Sequence, residues 1–186
     1  MKALRIIQVL AKVMRVICLV IFVLTIIGAV FTLLGLIIVP VLQDQVLYDG
    51  KTLQMLLLEK NISMAQVYAG LSVGLLSTGV GIFLAKYNES FFAYEIKEGT
   101  PFKMEVVKRT RKNALVNIIV SVSLVILSII VVGIISGIYK TKFNFNYSLV
   151  SSVGYGLALL VISLFCEYGA EKEEKVEVID NKEEDK

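Results

Sequence analysis

The side chains that could carry out chemistry are few and scattered in this 186-residue chain. It contains no histidine, and its two cysteines, Cys18 and Cys166, lie far apart in apolar stretches, where a thiol behaves as a small apolar group. No carboxylate pair falls in an apolar block, and neither a nucleophile elbow nor a glycine-rich phosphate loop is present. We therefore predict a non-enzymatic protein with no catalytic residue, no cofactor and no metal ion.

One set of basic residues has a spacing that suits binding. Lys108, Arg111 and Lys112 fall at positions i, i+3 and i+4, so they share one face of a helix. That face could contact lipid headgroups, a nucleic acid or an acidic protein partner. The simpler interpretation, which we favour, is that these cations anchor the helix at the membrane surface. Nucleic acid is not expected as a partner, because neither interleaved aromatic residues nor a nucleic-acid-binding fold accompanies the charges.

The elements that hold these residues are four long apolar blocks that contain no charged residue. A helix needs about 20 mostly apolar residues to cross a hydrocarbon core of roughly 30 Å. In lipid, every backbone amide must be hydrogen-bonded within its own segment, so blocks of this length are expected to be helices. The sequence predicts an all-α integral membrane protein, a four-helix bundle with spans at 16–40, 65–85, 114–139 and 148–166.

The segments between the spans differ in charge. Basic residues number four in 1–15, two in 41–64, seven in 86–113 and two in 140–147. Cytoplasmic segments of membrane proteins are enriched in lysine and arginine. We therefore predict that the central loop, the N-terminus and the C-terminus are cytoplasmic, with 1–15 as a basic amphipathic start and 41–64 and 140–147 as outer loops.

Two local signals stand out in the outer loop 41–64. Asp49 and Gly50 form a dipeptide that is typical of turns. The leucine-rich residues 52–59 predict a short apolar helix. We expect this helix to lie on the outer surface or to dock against the bundle.

The central loop 86–113 contains a predicted helix break. Gly99 interrupts the helix that leaves the second span, and Thr100 followed by Pro101 is typical of an N-cap and a first helical residue. From there one helix can continue through the basic residues into the third span. We predict that Gly99, Thr100, Pro101 and Phe102 form a structural turn at the membrane surface.

The final segment, 167–186, has nine acidic residues and four lysines. A segment of this composition buries too little apolar surface to fold alone, so we predict a disordered cytoplasmic tail. Its acids are expected to lie against the basic helix of the central loop, since both segments are placed in the cytoplasm.

Small residues recur at a spacing of four within the spans. Gly70 and Gly74 lie in the second span, and Gly133 and Gly137 lie in the third. Such residues let helix backbones approach closely, which supplies packing where lipid removes the hydrophobic drive. We interpret these pairs as packing contacts within the bundle, with homodimerisation as the alternative. Asn117, near the start of the third span, is expected to hydrogen-bond to a neighbouring helix.

Two stretches resemble a known family. Residues 91–102 (Phe-Phe-Ala-Tyr-Glu-Ile-Lys-Glu-Gly-Thr-Pro-Phe), followed by a basic helix, resemble the linker of a family of uncharacterised four-pass bacterial membrane proteins, domain of unknown function 2975. Residues 167–171 are similar to that family's closing segment. Lys103 and Met104 stand where acidic residues often follow the turn in that family. The resemblance implies a four-span fold in the bacterial plasma membrane and carries over no functional residue.

Function is predicted mainly by elimination. Spans without charge argue against a coupled ion pump, because intramembrane charges mark ion and proton paths. The sequence predicts an accessory, regulatory or envelope-protective (immunity-like) protein that acts through helix packing and cytoplasmic contacts. The alternative is a transporter or channel subunit for a hydrophobic solute, a lipid or a peptide. Expected partners are anionic lipid headgroups at the cytoplasmic face and either a membrane protein or a second copy of the chain.

Overall fold

The computed structural model describes residues 2–43, 45–48, 51–60, 62–141 and 150–184. Four helices are long and apolar enough to cross a membrane, which confirms the all-α fold and the number of apolar helices. In chain order the elements are α1 (Lys2–Leu42), β1 (Val46–Tyr48), β2 (Lys51–Thr52), α2 (Leu53–Glu59), α3 (Met64–Glu98), α4 (Met104–Tyr139) and α5 (Val150–Glu184).

The long helices extend beyond the apolar blocks that predicted them. Helix α1 has 41 residues and joins the basic start 1–15 to the first span without a break. Helix α3 likewise continues past the apolar block as far as Glu98. Lysine, arginine and glutamate are good helix formers, so a charged segment with no glycine or proline prolongs the helix. Pro40 lies in the last turn of α1, close to where that helix ends.

A small hairpin precedes α2 in the segment between α1 and α3. Strands β1 and β2 pair antiparallel, with Val46 opposite Thr52 and Tyr48 opposite Lys51. The sequence does not predict them, because strands this short show no alternating pattern. The turn predicted at residues 49–50 lies outside the described residues. Helix α2 occupies the segment where a short helix is expected, and the hydroxyl of Thr52 caps it by accepting a hydrogen bond from the backbone N–H of Met55 at 3.4 Å.

The break between α3 and α4 differs in detail from the prediction. Gly99 has a φ of +75°, a left-handed conformation that favours glycine, and it ends α3 as expected. The prediction that Thr100 caps the next helix is wrong, because its hydroxyl instead accepts from Phe102 N at 3.3 Å in a local turn. Helix α4 begins at Met104, and the carbonyl of Lys103 accepts its first helical bond from Val107 N at 3.1 Å. Lys103 is therefore the N-cap.

The last helix extends through the segment predicted to be disordered. Helix α5 continues to Glu184, so the backbone of the tail is helical where a disordered tail was expected from 167. The physical reason is local, because glutamate and lysine favour helices and no glycine or proline follows Gly169 in the chain. Of the predicted outer loop 140–147, only Lys140 and Thr141 lie within the described residues, and the predicted start of the fourth span at 148 lies outside them.

The chain divides into two compact units. Among the described residues, the first unit comprises 2–20, 84–122 and 150–184, and the second comprises 21–83 and 123–141. Each unit therefore takes a part of several long helices, and each has packing of its own.

The first unit has a small core of apolar side chains. Ala11 and Cys18 of α1 pack with Phe91 and Phe92 of α3, and the two rings meet edge to face at 5.2 Å between centroids. Both cysteines of the chain are free thiols.

The second unit is held by interlocking small residues of α1 and α3. Gly74 faces Thr32, whose methyl group would lie 3.0 Å from a Cβ added at that glycine, and Gly28 faces Thr78 at 3.1 Å in the same sense. Glycines contribute to such a contact because they let a neighbouring side chain approach the backbone. Gly74 therefore packs within the chain, as the sequence predicts.

Candidate functional site

Buried asparagines link two helices of the first unit. Asn88 of α3 and Asn117 of α4 exchange two amide hydrogen bonds: Asn88 Nδ2 donates to Asn117 Oδ1 at 3.2 Å, and Asn117 Nδ2 donates to Asn88 Oδ1 at 3.0 Å. The nitrogen of Asn117 also donates to the carbonyl of Asn113 at 2.9 Å. The expected bond from Asn117 to a neighbouring helix is present. Each such bond between helices in lipid contributes roughly 0.6 kcal/mol on average.

A buried carboxylate joins α1 to α3. Glu89 is only 6% exposed and accepts hydrogen bonds from Arg15 Nε at 2.8 Å and from Lys86 Nζ at 3.0 Å. Hydrogen bonds that involve two ionised groups are shorter and stronger than neutral ones. This contact cannot be predicted from the sequence, because Arg15 lies 74 positions away and no local pattern pairs the two residues.

The predicted basic face does not act as one group. Arg111 Nη2 donates to Glu167 Oε2 at 2.8 Å, so one cation of that face is paired with the first acid of the tail segment. This contact agrees, at one residue, with the expectation that tail acids lie against the basic helix. Lys108 is exposed. Lys112 lines a separate polar pocket together with Arg109, which was not among the predicted residues.

This polar pocket lies in the first unit and has a volume of about 360 Å³. Arg109 is stacked on the ring of Tyr94, with its guanidinium carbon 3.6 Å from the ring centroid. Asn113 is 1% exposed, and its amide nitrogen donates to no described acceptor. Two cations and an unused buried N–H donor suit an anion. The pocket is lined by Tyr87, Ser90, Phe91, Arg109, Lys112 and Asn113.

A second cavity of the first unit is apolar and has a volume of about 300 Å³. All four long helices contribute to its wall, and four of its lining residues carry polar atoms: Glu95, Thr110, Tyr155 and Cys166. The hydroxyl of Thr110 donates to the carbonyl of Val106 at 2.9 Å. The apolar wall includes Leu10, Met14, Phe91, Phe92, Leu159 and Ile162.

Two polar groups of this cavity have no partner among the described residues. The carboxylate of Glu95 accepts no hydrogen bond there, and no cation is placed against it. The hydroxyl of Tyr155 is enclosed and is likewise without a hydrogen bond in the described part of the chain. Buried polar groups are normally hydrogen-bonded, and both the half-buried carboxylate of Glu95 and the enclosed hydroxyl of Tyr155 lack such a partner among the described residues.

The predicted turn is held against two other helices at the edge of this cavity. Gln8 Nε2 of α1 donates to the carbonyl of Gly99 at 2.9 Å. Pro101 lines the cavity, and Phe102 lies against Gly169 of α5, where an added Cβ would come within 2.7 Å of the ring. The turn therefore has a packing role, which agrees with its prediction as a structural element.

A second carboxylate near the turn lies outside the cavity and is paired. Lys103 Nζ donates to Glu98 Oε2 at 2.8 Å. The hydrogen bond to this carboxylate, together with its negative charge, raises the pKa of Lys103. Glu98 and Glu95 thus lie one helical turn apart with opposite surroundings, one paired with a cation and one facing apolar side chains.

The remaining predicted packing residues lie in open space. Gly133 and Gly137 of α4 are exposed, and a Cβ added at either would meet no described atom within 4 Å. A Cβ added at Gly70 of α3, which is half-buried, would likewise meet no described atom within 4 Å. The interpretation of these three glycines as packing contacts within the chain finds no support among the described residues, because each lies on a face of its helix where no described atom is within 4 Å of an added Cβ.

No metal-binding group of three or more histidine, cysteine, aspartate or glutamate side chains occurs within the described ranges. No protein-family model, curated protein or solved structure matches the chain. The resemblance of residues 91–102 and 167–171 to the four-pass family stays a prediction.

Proposed function

We propose that this chain is a small non-enzymatic accessory protein of the bacterial plasma membrane, with a regulatory or envelope-protective role that it performs by binding another membrane helix. The observation that carries the proposal is the open pair Gly133 and Gly137 on α4. Small residues four apart let a second helix approach closely. Gly74 already uses this property against α1, whereas the pair on α4 faces no described residue.

The charge distribution supports a cytoplasmic location for both termini and for the central loop. Segments 1–15 and 86–113 carry most of the basic residues outside the tail, and a bias of this kind orients membrane proteins with the basic segments inside. The polar pocket with Arg109, Lys112 and Asn113 then lies at the cytoplasmic face. Its donors suit the phosphate of an anionic lipid headgroup.

The helix contact is tested by enlarging the two open glycines. The tagged full chain is purified from native membranes in a mild detergent, and its mass and companions are measured. We expect a stoichiometric partner, or a second copy, that is lost from the double variant Gly133→Leu, Gly137→Leu. A Cβ added at either glycine meets no described atom within 4 Å, so we expect the variant to fold.

The matched control is Gly79→Leu. Gly79 is also in open space on its helix, but Leu75 and Phe83, the residues four positions away, are large. This control should keep the partner. A wild-type chain that purifies alone as a monomer, or a partner that survives the double variant, would contradict the proposal.

A second function is favoured by the apolar cavity of about 300 Å³ in the first unit. A transporter or channel subunit for a hydrophobic solute, a lipid or a peptide would need an apolar site of this kind. Flux of a fluorescent lipid or solute in liposomes that contain only the purified chain would favour transport over the accessory role.

A further inference from the structure

We propose that the apolar cavity of the first unit binds a small molecule with an apolar body and one protonated amine, and that the amine pairs with Glu95. This inference is independent of the helix contact proposed above. The cavity is lined by residues of the first unit, whereas Gly133 and Gly137 belong to the second.

The size of the cavity suits a small organic molecule. Its volume of about 300 Å³ is at the lower end of ligand pockets, which are roughly 300–1,000 Å³. Leu10 and Met14 of α1, with Leu159 and Ile162 of α5, provide aliphatic walls. Ligand sites usually combine such walls with a few convergent polar groups, and Glu95 and Tyr155 are the polar groups here.

The charge of the ligand follows from Glu95. Glu89, Glu98 and Glu167 in the same unit each accept a hydrogen bond from a lysine or arginine. Glu95 has no such cation within the described residues, although it faces apolar side chains. A carboxylate among apolar groups is costly unless it is paired. A ligand that brings its own cation supplies the missing partner, while an anionic ligand would add to the cost.

Other groups of the cavity suit the same amine. An ammonium has N–H donors for more than one acceptor, so the unpartnered hydroxyl oxygen of Tyr155 can accept alongside Glu95. Phe91 and Phe92 line the wall, and the face of an aromatic ring attracts a cation. A neutral alcohol of the same shape would fill the apolar space but would form no ion pair.

The test compares two probes that share an apolar body. Phenethylamine carries the ammonium, and phenethyl alcohol replaces it with a hydroxyl. Binding of each probe to the full-length protein in phosphatidylcholine nanodiscs is measured by calorimetric titration. A zwitterionic lipid avoids attraction of the amine to an anionic bilayer. We expect saturable amine binding to the wild type, about tenfold tighter than that of the alcohol, because a charged hydrogen bond is stronger than a neutral one.

The decisive variant is Glu95→Gln, which keeps the shape of the side chain and removes its charge. It should weaken amine binding about tenfold and leave alcohol binding unchanged. Glu98→Gln is the matched control, because it removes the same charge one turn away at a carboxylate that is paired with Lys103 outside the cavity. This control should bind the amine like the wild type.

A third variant separates the cavity from the charge. Leu159→Trp fills the cavity and keeps Glu95, so it should abolish binding of both probes. The unfolding temperature of each variant in nanodiscs identifies a chain that has failed to fold. Amine binding that is equal in the wild type and Glu95→Gln would overturn the proposal. So would tighter binding of the alcohol than of the amine, or no saturable binding by a folded wild type.

Discussion

At the residue scale, polar side chains join the helices of the first unit. Asn88 and Asn117 form a neutral pair between α3 and α4, and Glu89 forms a charged link to Arg15. An asparagine inside an apolar block needs a partner, so its bond to another helix can be predicted from sequence. Glu89 follows the second apolar block, where a carboxylate is ordinarily solvated, and only the packing of α1 shows that it is buried.

The polar pocket makes a prediction about a single lysine. Lys112 lines the pocket together with Asn113, whose amide nitrogen has no described acceptor, whereas Lys108 lies one turn earlier and does not line the pocket. Lys112→Gln should therefore reduce the anionic phospholipid that stays bound after purification, measured by native mass spectrometry. Each basic residue near an anionic surface contributes about 1 kcal/mol, so a several-fold loss is expected.

Lys108→Gln is the control for this measurement and should retain wild-type lipid. Titrating inorganic phosphate into the lipid-free protein distinguishes binding of free phosphate from binding of a lipid headgroup. Equal lipid loss in both variants would show that general surface charge, and not the pocket, holds the headgroup.

At the element scale, the turn between α3 and α4 is packed against two other helices. Gly99 adopts a left-handed conformation, and its carbonyl accepts from Gln8 of α1. Phe102 then rests against Gly169 of α5. The two helices that flank the turn form because of their local sequence, but the contacts of the turn depend on helices that are distant in the chain.

The left-handed conformation of Gly99 predicts that glycine-to-alanine substitutions at two positions change the free energy of unfolding differently. Gly99→Ala should destabilise the protein by about 1–2 kcal/mol, because a side chain makes φ of +75° unfavourable. Gly79→Ala is the control, in open space within α3, and it should be neutral or stabilise by about 0.5–1 kcal/mol. Both values follow from unfolding in a mixed-micelle denaturation series. A Gly99→Ala variant as stable as the wild type would contradict the conformational argument.

At the scale of the whole molecule, charge segregation predicts the orientation in the membrane. Lys112 lies in the basic first part of α4, and Lys140 follows the other end of that helix. With both native cysteines replaced by alanine, Lys112→Cys should react with a membrane-impermeant maleimide only when the inner face is exposed. Lys140→Cys should react in intact cells. Reversed labelling of these two positions would overturn the cytoplasmic placement of the termini.

The tail also has a consequence at this scale. Glu167, at the start of the acidic segment, pairs with Arg111, 56 positions earlier. Both side chains are partly exposed, and exposed ion pairs contribute little, about 0–1 kcal/mol. The contact therefore orients the two segments in the first unit more than it stabilises them.

The apolar helices, the break at Gly99, the bond from Asn117 and the packing of Gly74 can all be predicted from the sequence. Each depends on local composition, on a backbone preference, or on the cost of an unpaired polar group in an apolar block. The N-cap at Lys103 could not be predicted, because the hydroxyl of Thr100 forms a local turn with Phe102 N in place of a helix cap. The hairpin could not be predicted, because its strands are too short to show a periodic pattern.

The sequence by itself determined that this is an all-α chain with four helices able to cross a membrane, since a long uncharged block has no other way to satisfy its backbone in lipid. Only the tertiary structure decided which carboxylates are paired. Glu89 meets Arg15 across 74 positions, while Glu95, six residues later, faces an apolar cavity without a described partner. The physical reason is that helix formation depends on neighbours in sequence, whereas burial and pairing depend on which distant helices pack together.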